Sequence, residues 1–384
     1  MTSENLQVKN NGWMFFLIAF TTLSCGLVDG GRILNSTMRK DEKQITIKGD
    51  NDIIDCVDIY KQPAFSHPLL KNHTIQMKPS SYPKGFKEGS NTDLLLEWNK
   101  KGRCPEGTIP IIRTQHKVSP KRRQHNSNIL GFDVNTSQLE YAQVSTDLGT
   151  YFGAFAKFLV WNPKTVAKEF SSAQMWVVAG DGPNLNSLEA GWQVHFGEKF
   201  TRLFISWTRD NYKETGCYNL ECPDFVQINN NIALGSALLP VSVYDGNQYE
   251  IEITIFKDMQ NGNWWLVVQG QKLGYWPASI LTTLANQANV IRWGGKVYNT
   301  ETDGEHTFTQ MGTGHFSYEG YGKAGLIHNL KYVDNSGALT DPNKVIPFAS
   351  RPSCYDVQLG ETGKDDHGTH FYYGGPGYSE ICMK

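Results

Sequence analysis

The chain reads as an all-β protein, and three observations carry that reading. Aromatic residues reach 12% of its 384 positions, with 10 Trp, 17 Tyr and 19 Phe, and 37 glycines accompany them. Apolar and aromatic runs of strand length recur, separated by Asn, Asp and Gly clusters. One of these separators, in "KDMQNGNWW", sets Asn-Gly between two alternating runs, which is a hairpin signal. An antiparallel β-sandwich of two sheets with short connections accounts for all three.

Taken in order, the chain opens on the apolar run "WMFFLIAFTTLSCGLV" between polar flanks. It is short for a membrane span, so residues 1–28 are expected to form a cleaved secretory signal, with an uncleaved anchor as the alternative. Secretion to the exterior or cell wall is expected, the vacuole being another end of the same route, and no membrane attachment remains once the signal is removed. Sequons at Asn35, Asn72 and Asn135 fit that route. Apart from Cys25 in the signal, six cysteines remain, and six allow fifteen pairings. In an oxidising compartment neighbours are expected to pair: Cys56 with Cys104, Cys217 with Cys222, and Cys354 with Cys382.

The stretch "QHKVSPKRRQHNSN" is basic and nearly free of large apolar residues. It reads as an exposed linker, where proteolysis concentrates. Downstream, "GTYFGAFAKFLVWNP", "SAQMWVVAGDGP", "LEAGWQVHF", "TRLFISWTRD", "NQYEIEITIFKD" and "NWWLVVQGQKLGYWP" read as successive strands, and "PASILTTLANQ" as one helix beginning near Pro277. Charged residues make up only 19%, with a formal net charge of −2, so no global field favours nucleic acid or a membrane surface.

Strand alternation decides which side chains share a face. Glu189, Gly191 and Gln193 lie on one face of "LEAGWQV", Gln174 and Trp176 share a face of theirs, and Lys296 and Tyr298 share a face of "WGGKVYN". A glycine between a carboxylate and an amide is expected to leave room for a peptide lying across the sheet. No phosphate loop or nucleophile elbow is present, and the cysteine and histidine spacings lack the close pairs of a zinc site, so no metal or cofactor is expected. His306, Gln310 and His315 are assigned to turn structure. His367 and His370 lie in a Gly-rich segment.

From about Asp52 onward the chain resembles the neprosin family of plant glutamic peptidases with its activation peptide. The segments carrying the likeness are "DIIDCVDIYKQPAFSHPLLKNHTIQMKPS" and "GRCPEGTIPI" before the linker, then "EAGWQV", "GCYNLECPDFVQINNNIALG", "GNWWL", "LGYWP", "WGGKVYN", "HTFTQMGTGHF" and "CYDV…FYYGGPG". The resemblance implies an activation peptide over residues 29–125 and a β-sandwich peptidase domain over 130–384. It also implies removal of the first part near the linker and acid cleavage of peptides after proline. The implied partners are a peptide or protein substrate, proline-rich peptides included, and the chain's own propeptide; the protein itself is expected to be monomeric.

In that family two glutamates on facing strands share the chemistry, because close carboxylates cannot both ionise cheaply and so divide into acid and base. Glu189 of "EAGW" matches the first, whereas Lys296 of "WGGK" stands where active relatives carry the second. An ammonium has no lone pair and cannot accept a proton from water. It also holds a neighbouring carboxylate ionised, which removes the split. Glu301, Asp303 and Glu305 are the nearby acids that could substitute. The expectations are therefore an impaired peptidase, a non-hydrolytic protein binding peptide or cell wall, or an active peptidase with a rearranged acid–base pair.

Overall fold

The computed structural model describes residues 45–49, 52–87, 95–96 (backbone only), 102–113, 138–195, 198–301, 305–361, 363 and 366–382. The expected signal, Asn35, Asn135, Asp303 and the basic linker lie outside them. The N-terminal region supplies β1 (Ile45–Lys48), β2 (Ile53–Asp58), β3 (Leu95–Leu96) and β4 (Thr108–Ile112). The first half of the following domain supplies β5 (Leu139–Ser145), β6 (Gly153–Leu159), β7 (Phe170–Ala179), β8 (Asn186–His195), β9 (Arg202–Thr208), β10 (Cys217–Tyr218), β11 (Val226–Gln227) and β12 (Leu238–Leu239). The second half supplies β13 (Glu250–Lys257), β14 (Trp264–Val268), β15 (Gln271–Trp276), β16 (Val290–Tyr298), β17 (Gly325–Val333), β18 (Leu339–Thr340), β19 (Ile346–Ala349), β20 (Asp356–Leu359) and β21 (Phe371–Gly374).

Two large antiparallel sheets form the sandwich. One runs β10-β9-β8-β7-β16-β5-β19; the other runs β11-β15-β14-β13-β6-β17-β21-β20, with β18 on β17. Alternation explains the layering. Ala173, Met175 and Val177 of β7, with Leu188, Ala190 and Trp192 of β8, point into the main core, where they join Ile251, Ile253 and Ile255 of β13. Trp192 is fully buried and donates its indole N–H across the sandwich to Leu159 O at 3.0 Å. Truncating such a ring costs about 3–5 kcal/mol. Trp176, one position out of phase, lies in a separate small cluster with Val178 and Val290, flanked by Tyr141. That cluster marks the opposite face of the first sheet.

The hairpin over "KDMQNGNWW" forms as expected, with Lys257 opposite Trp264 and Gly262 in the left-handed region at φ 81°. The helix expected over "PASILTTLANQ" does not form; 278–280 and 283–285 are separate 3-10 turns. Tertiary partners take the backbone groups that a helix needs. Asn186 Oδ1 accepts the Thr282 and Leu284 N–H groups, Trp264 Nε1 donates to Leu284 O, and Lys257 Nζ donates to Ala285 O. All three expected disulfides are present: Cys56–Cys104, Cys217–Cys222 and Cys354–Cys382.

The N-terminal region forms its own sheet, β1-β2-β4, and docks on the sandwich through polar anchors. Gln62 and Gln227 exchange hydrogen bonds: the Gln62 amide donates to Gln227 O at 3.1 Å, and Gln227 N–H donates to Gln62 Oε1 at 2.8 Å. Fully buried Asp258 accepts from Ser80 N–H at 2.7 Å and Gln76 Nε2 at 2.9 Å. β3 pairs with β12 in a separate two-stranded sheet. Asn72 is exposed.

Candidate active site

The cleft-side face of the first sheet is built by register. Glu189 of β8 lies opposite Trp176 of β7, and Trp176 lies opposite Arg292 of β16. Four residues along, Lys296 lies opposite Ser172, which faces Gln193. Glu189 and Lys296 are thus diagonal across β7, and only a long side chain at 296 reaches back to the carboxylate. It does so: Lys296 Nζ donates to Glu189 Oε2 at 3.3 Å, with the two side chains 12% and 3% exposed. The ammonium also stands over two aromatic faces, 5.7 Å from the Phe170 ring centre and 5.9 Å from that of Trp176.

The carboxylate has four donors. Oε2 accepts from Gln174 Nε2 at 2.5 Å as well as from Lys296; Oε1 accepts from Ser187 Oγ at 3.1 Å and from the Tyr212 hydroxyl. Ser172 Oγ donates to Gln174 Oε1 at 2.8 Å, which turns the amide N–H toward Glu189. A carboxylate offers about four lone-pair sites, so this one is saturated. Burial, followed by the charge of Glu189 and the hydrogen bond to it, pushes the Tyr212 hydroxyl well above its ordinary range and keeps it a donor. Tyr141 is shifted upward in the same way, by burial and then by Glu189.

The expected cleft residues occupy this face with differing roles. Trp176 is buried and edge-on to Tyr141. Tyr298 stacks on Phe170 with ring centres 6.0 Å apart and turns its hydroxyl to Gln138 Oε1. Gln193 is 3% exposed, and among the described residues its Nε2 has no hydrogen-bond partner. The expected role of Gly191 is corrected: a Cβ there would meet Ala173 O at 2.0 Å and Gln174 Cα at 2.6 Å. The glycine lets β7 and β8 approach and does not open space for a ligand. Glu301 and Glu305 are exposed, and among the described residues no ion pair or hydrogen bond joins either to Glu189.

Alternation did not reveal Tyr212, which arrives from the turn after β9 with Asn211 and Tyr212 both in the left-handed region, at φ 56° and 62°. Ser172 and Ser187 were within reach of the same alternation, each two positions from an identified residue. His306 is a structural residue, its Nε2 2.9 Å from Glu140 Oε2. Gln310 Oε1 accepts Lys164 N–H, and His315 pairs with Glu319. The His367 and His370 rings lie near one another, tilted, with centres 5.5 Å apart. Two groupings bring potential metal ligands close, His306–Cys354–Cys382 and Cys217–Cys222–Asp224, and each has both cysteines tied up in a disulfide.

Residues 167–376 match the Neprosin domain, and residues 46–144 match the Neprosin activation peptide. The chain belongs to the neprosin family. The activation-peptide match precedes the peptidase-type domain in the chain. All of β5 except Ser145 falls within the activation-peptide match, yet the strand is hydrogen-bonded between β16 and β19 and so is structurally part of the sandwich. Among solved structures, the fold is similar to Scytalido-glutamic peptidase with a peptide-based transition-state analogue: 10% identity, 62% of this chain, 98% of that one, TM-score 0.35. SCP-B, an Eqolisin-family peptidase in complex with the tripeptide Ala-Ile-His, gives 10%, 61%, 96% and 0.34. The chicken-liver agglutinin CG-16 gives 11%, 40%, 93% and 0.23. At TM-scores below 0.5 these likenesses carry no argument about activity.

Proposed function

We propose that this neprosin-family protein is secreted as a zymogen, loses its activation peptide through the basic linker, and binds extended, proline-containing peptides in its cleft while hydrolysing them poorly. The observation that carries this reading is the saturated carboxylate of Glu189. Water attack on a peptide carbonyl needs one group to take the water's proton and another to protonate or polarise the carbonyl. Glu189 could take a proton only by releasing one of its four donors, one of which is the Lys296 side chain paired with it. Lys296 itself has no lone pair at acid pH. What survives is polarisation, because Lys296, Gln174 and Tyr212 all point donors at one spot.

That donor cluster also supports a second reading, an active peptidase in which Glu189 works with a donor in place of a second acid. Loss of one positioned acid–base group costs about 10²–10⁴ in rate, more where two groups act as a unit. The test is binding and digestion of one proline-containing peptide by processed protein at acid pH. The proposal expects saturable binding with little cleavage. Rapid cleavage that disappears in Glu189→Gln would favour the second reading, and neither binding nor cleavage would remove both.

A further inference from the structure

Beyond Glu189 the cleft face continues along β8 to Gln193, which lies directly opposite Arg202 of β9. Both side chains therefore project from one face, two strand positions past Gly191. The Arg202 guanidinium is engaged from two sides. Its Nε donates to Glu198 Oε2 at 2.5 Å, while Nη1 donates to Gly235 O at 2.8 Å and to Asp52 Oδ1 at 2.9 Å. Asp52 belongs to the activation-peptide region, just ahead of β2, and its side chain is 9% exposed. The same region packs Ile112 beside Gly235, so the Arg202 corner is capped by the segment whose removal is proposed.

Gln193 adds the second observation. It is 3% exposed, yet among the described residues its Nε2 has no hydrogen-bond partner. An unsatisfied buried donor costs about 1–3 kcal/mol, and such groups are rare without a cause. Here an unused N–H donor neighbours a guanidinium whose fork can serve two carboxylates.

We propose that Gln193 and Arg202 form a carboxylate-binding subsite of the cleft, its Arg202 half occupied by Asp52 in the intact chain and both halves free to take a carboxylate of the bound peptide once the activation peptide leaves. The carboxylate comes from an acidic side chain or from a chain terminus. This rests on the reading that the cleft binds peptides, and it specifies what one end of that peptide carries. Asp52 is then an internal occupant, and Glu198 remains as the permanent partner that keeps Arg202 aimed.

The test uses the uncleaved full-length chain, with Asp52→Ala to vacate the subsite. Three probes are titrated by NMR: N-acetyl-aspartate amide for the side-chain carboxylate, N-acetylglycine for the terminal one, and N-acetyl-asparagine amide as the neutral control. At least one acidic probe should bind the Asp52→Ala chain about tenfold more tightly than the control, as a charge-assisted pair predicts. Whichever acidic probe wins identifies the source. The unmodified chain should show no preference. Adding Arg202→Gln should abolish the preference. Should that variant fail to fold, Gln193→Glu, which sets a carboxylate beside the guanidinium, should abolish it as well. Equal binding of acidic and neutral probes to Asp52→Ala overturns the proposal, as does a preference that persists in Gln193→Glu. Neither processing nor hydrolysis enters the experiment, so a negative result removes the subsite and leaves the peptide-binding reading to its own test.

Discussion

Two buried glutamates, twenty residues apart, have the same number of donors and different consequences. Glu169, fully buried just ahead of β7, accepts from Thr300 N–H and Thr300 Oγ on one oxygen and from Thr307 Oγ and Thr309 Oγ on the other. Every donor is neutral and lies on the segment after β16, so the carboxylate fastens that segment to the sheet. Glu189 is also saturated, but one donor is a cation and another is a tyrosine hydroxyl delivered by a left-handed turn. The first arrangement is a staple. The second has the form of a staple in the place where a base would act, and the residue that makes it so is Lys296.

Removing each carboxylate separates the two cases. Glu169→Ala strands four donors, two of them on the buried Thr307 and Thr309, and should cost about 4 kcal/mol in denaturant unfolding. Glu189→Ala leaves a buried ammonium without its counter-ion, for about 3 kcal/mol. Lys296→Met removes the cation and leaves the buried Glu189 carboxylate with three neutral donors and no counter-ion, so it should cost about 2 kcal/mol, the worth of one charge-assisted hydrogen bond. A Lys296→Met cost as large as that of Glu169→Ala would show that the ion pair is a staple of equal rank.

Asp258 sharpens the comparison, since its donors come from two parts of the chain. Asn261 and Gln260 belong to its own turn, whereas Ser80 and Gln76 belong to the activation region. Burial works against this carboxylate, but the Ser80 N–H, the Gln76 amide and the Gln260 N–H outweigh it and hold the group below its ordinary range. A depressed carboxylate contributes stability above its unfolded value, about pH 4, and loses it as pH falls through the folded one. After nicking within residues 114–137, retention of the activation segment should therefore weaken below about pH 4. Asp258→Asn should lower retention at neutral pH and flatten the acid limb. The same acid dependence in both proteins would place the sensitive group elsewhere.

Much of this was legible in the sequence because a strand's period of two is exact. Glu189 with Gln193, Gln174 with Trp176, and Lys296 with Tyr298 each share a face as alternation requires, and the cysteines pair with their neighbours. Alternation stopped at elements that lack a period. Tyr212 reaches Glu189 through backbone in the left-handed region, and Asp52 reaches Arg202 across 150 residues of chain. The segment after Pro277 had the N-terminal proline signal of a helix, but Asn186, Trp264 and Lys257 claim its backbone groups. Gly191 was misread because the close approach of β7 is a property of the pair of strands and not of either alone.

The central claim is that Lys296 is what separates this site from a working one. The measurement is the rate of cleavage of a proline-containing peptide at acid pH by processed Lys296→Glu protein, with folding checked alongside, compared with the unmodified protein and with Lys296→Glu/Glu189→Gln. Restoring a carboxylate pair should raise the rate by about 10²-fold or more, and the second substitution should remove the gain. A well-folded Lys296→Glu protein with no gain, or an unmodified protein that cleaves rapidly and is indifferent to Glu189→Gln, would contradict the account.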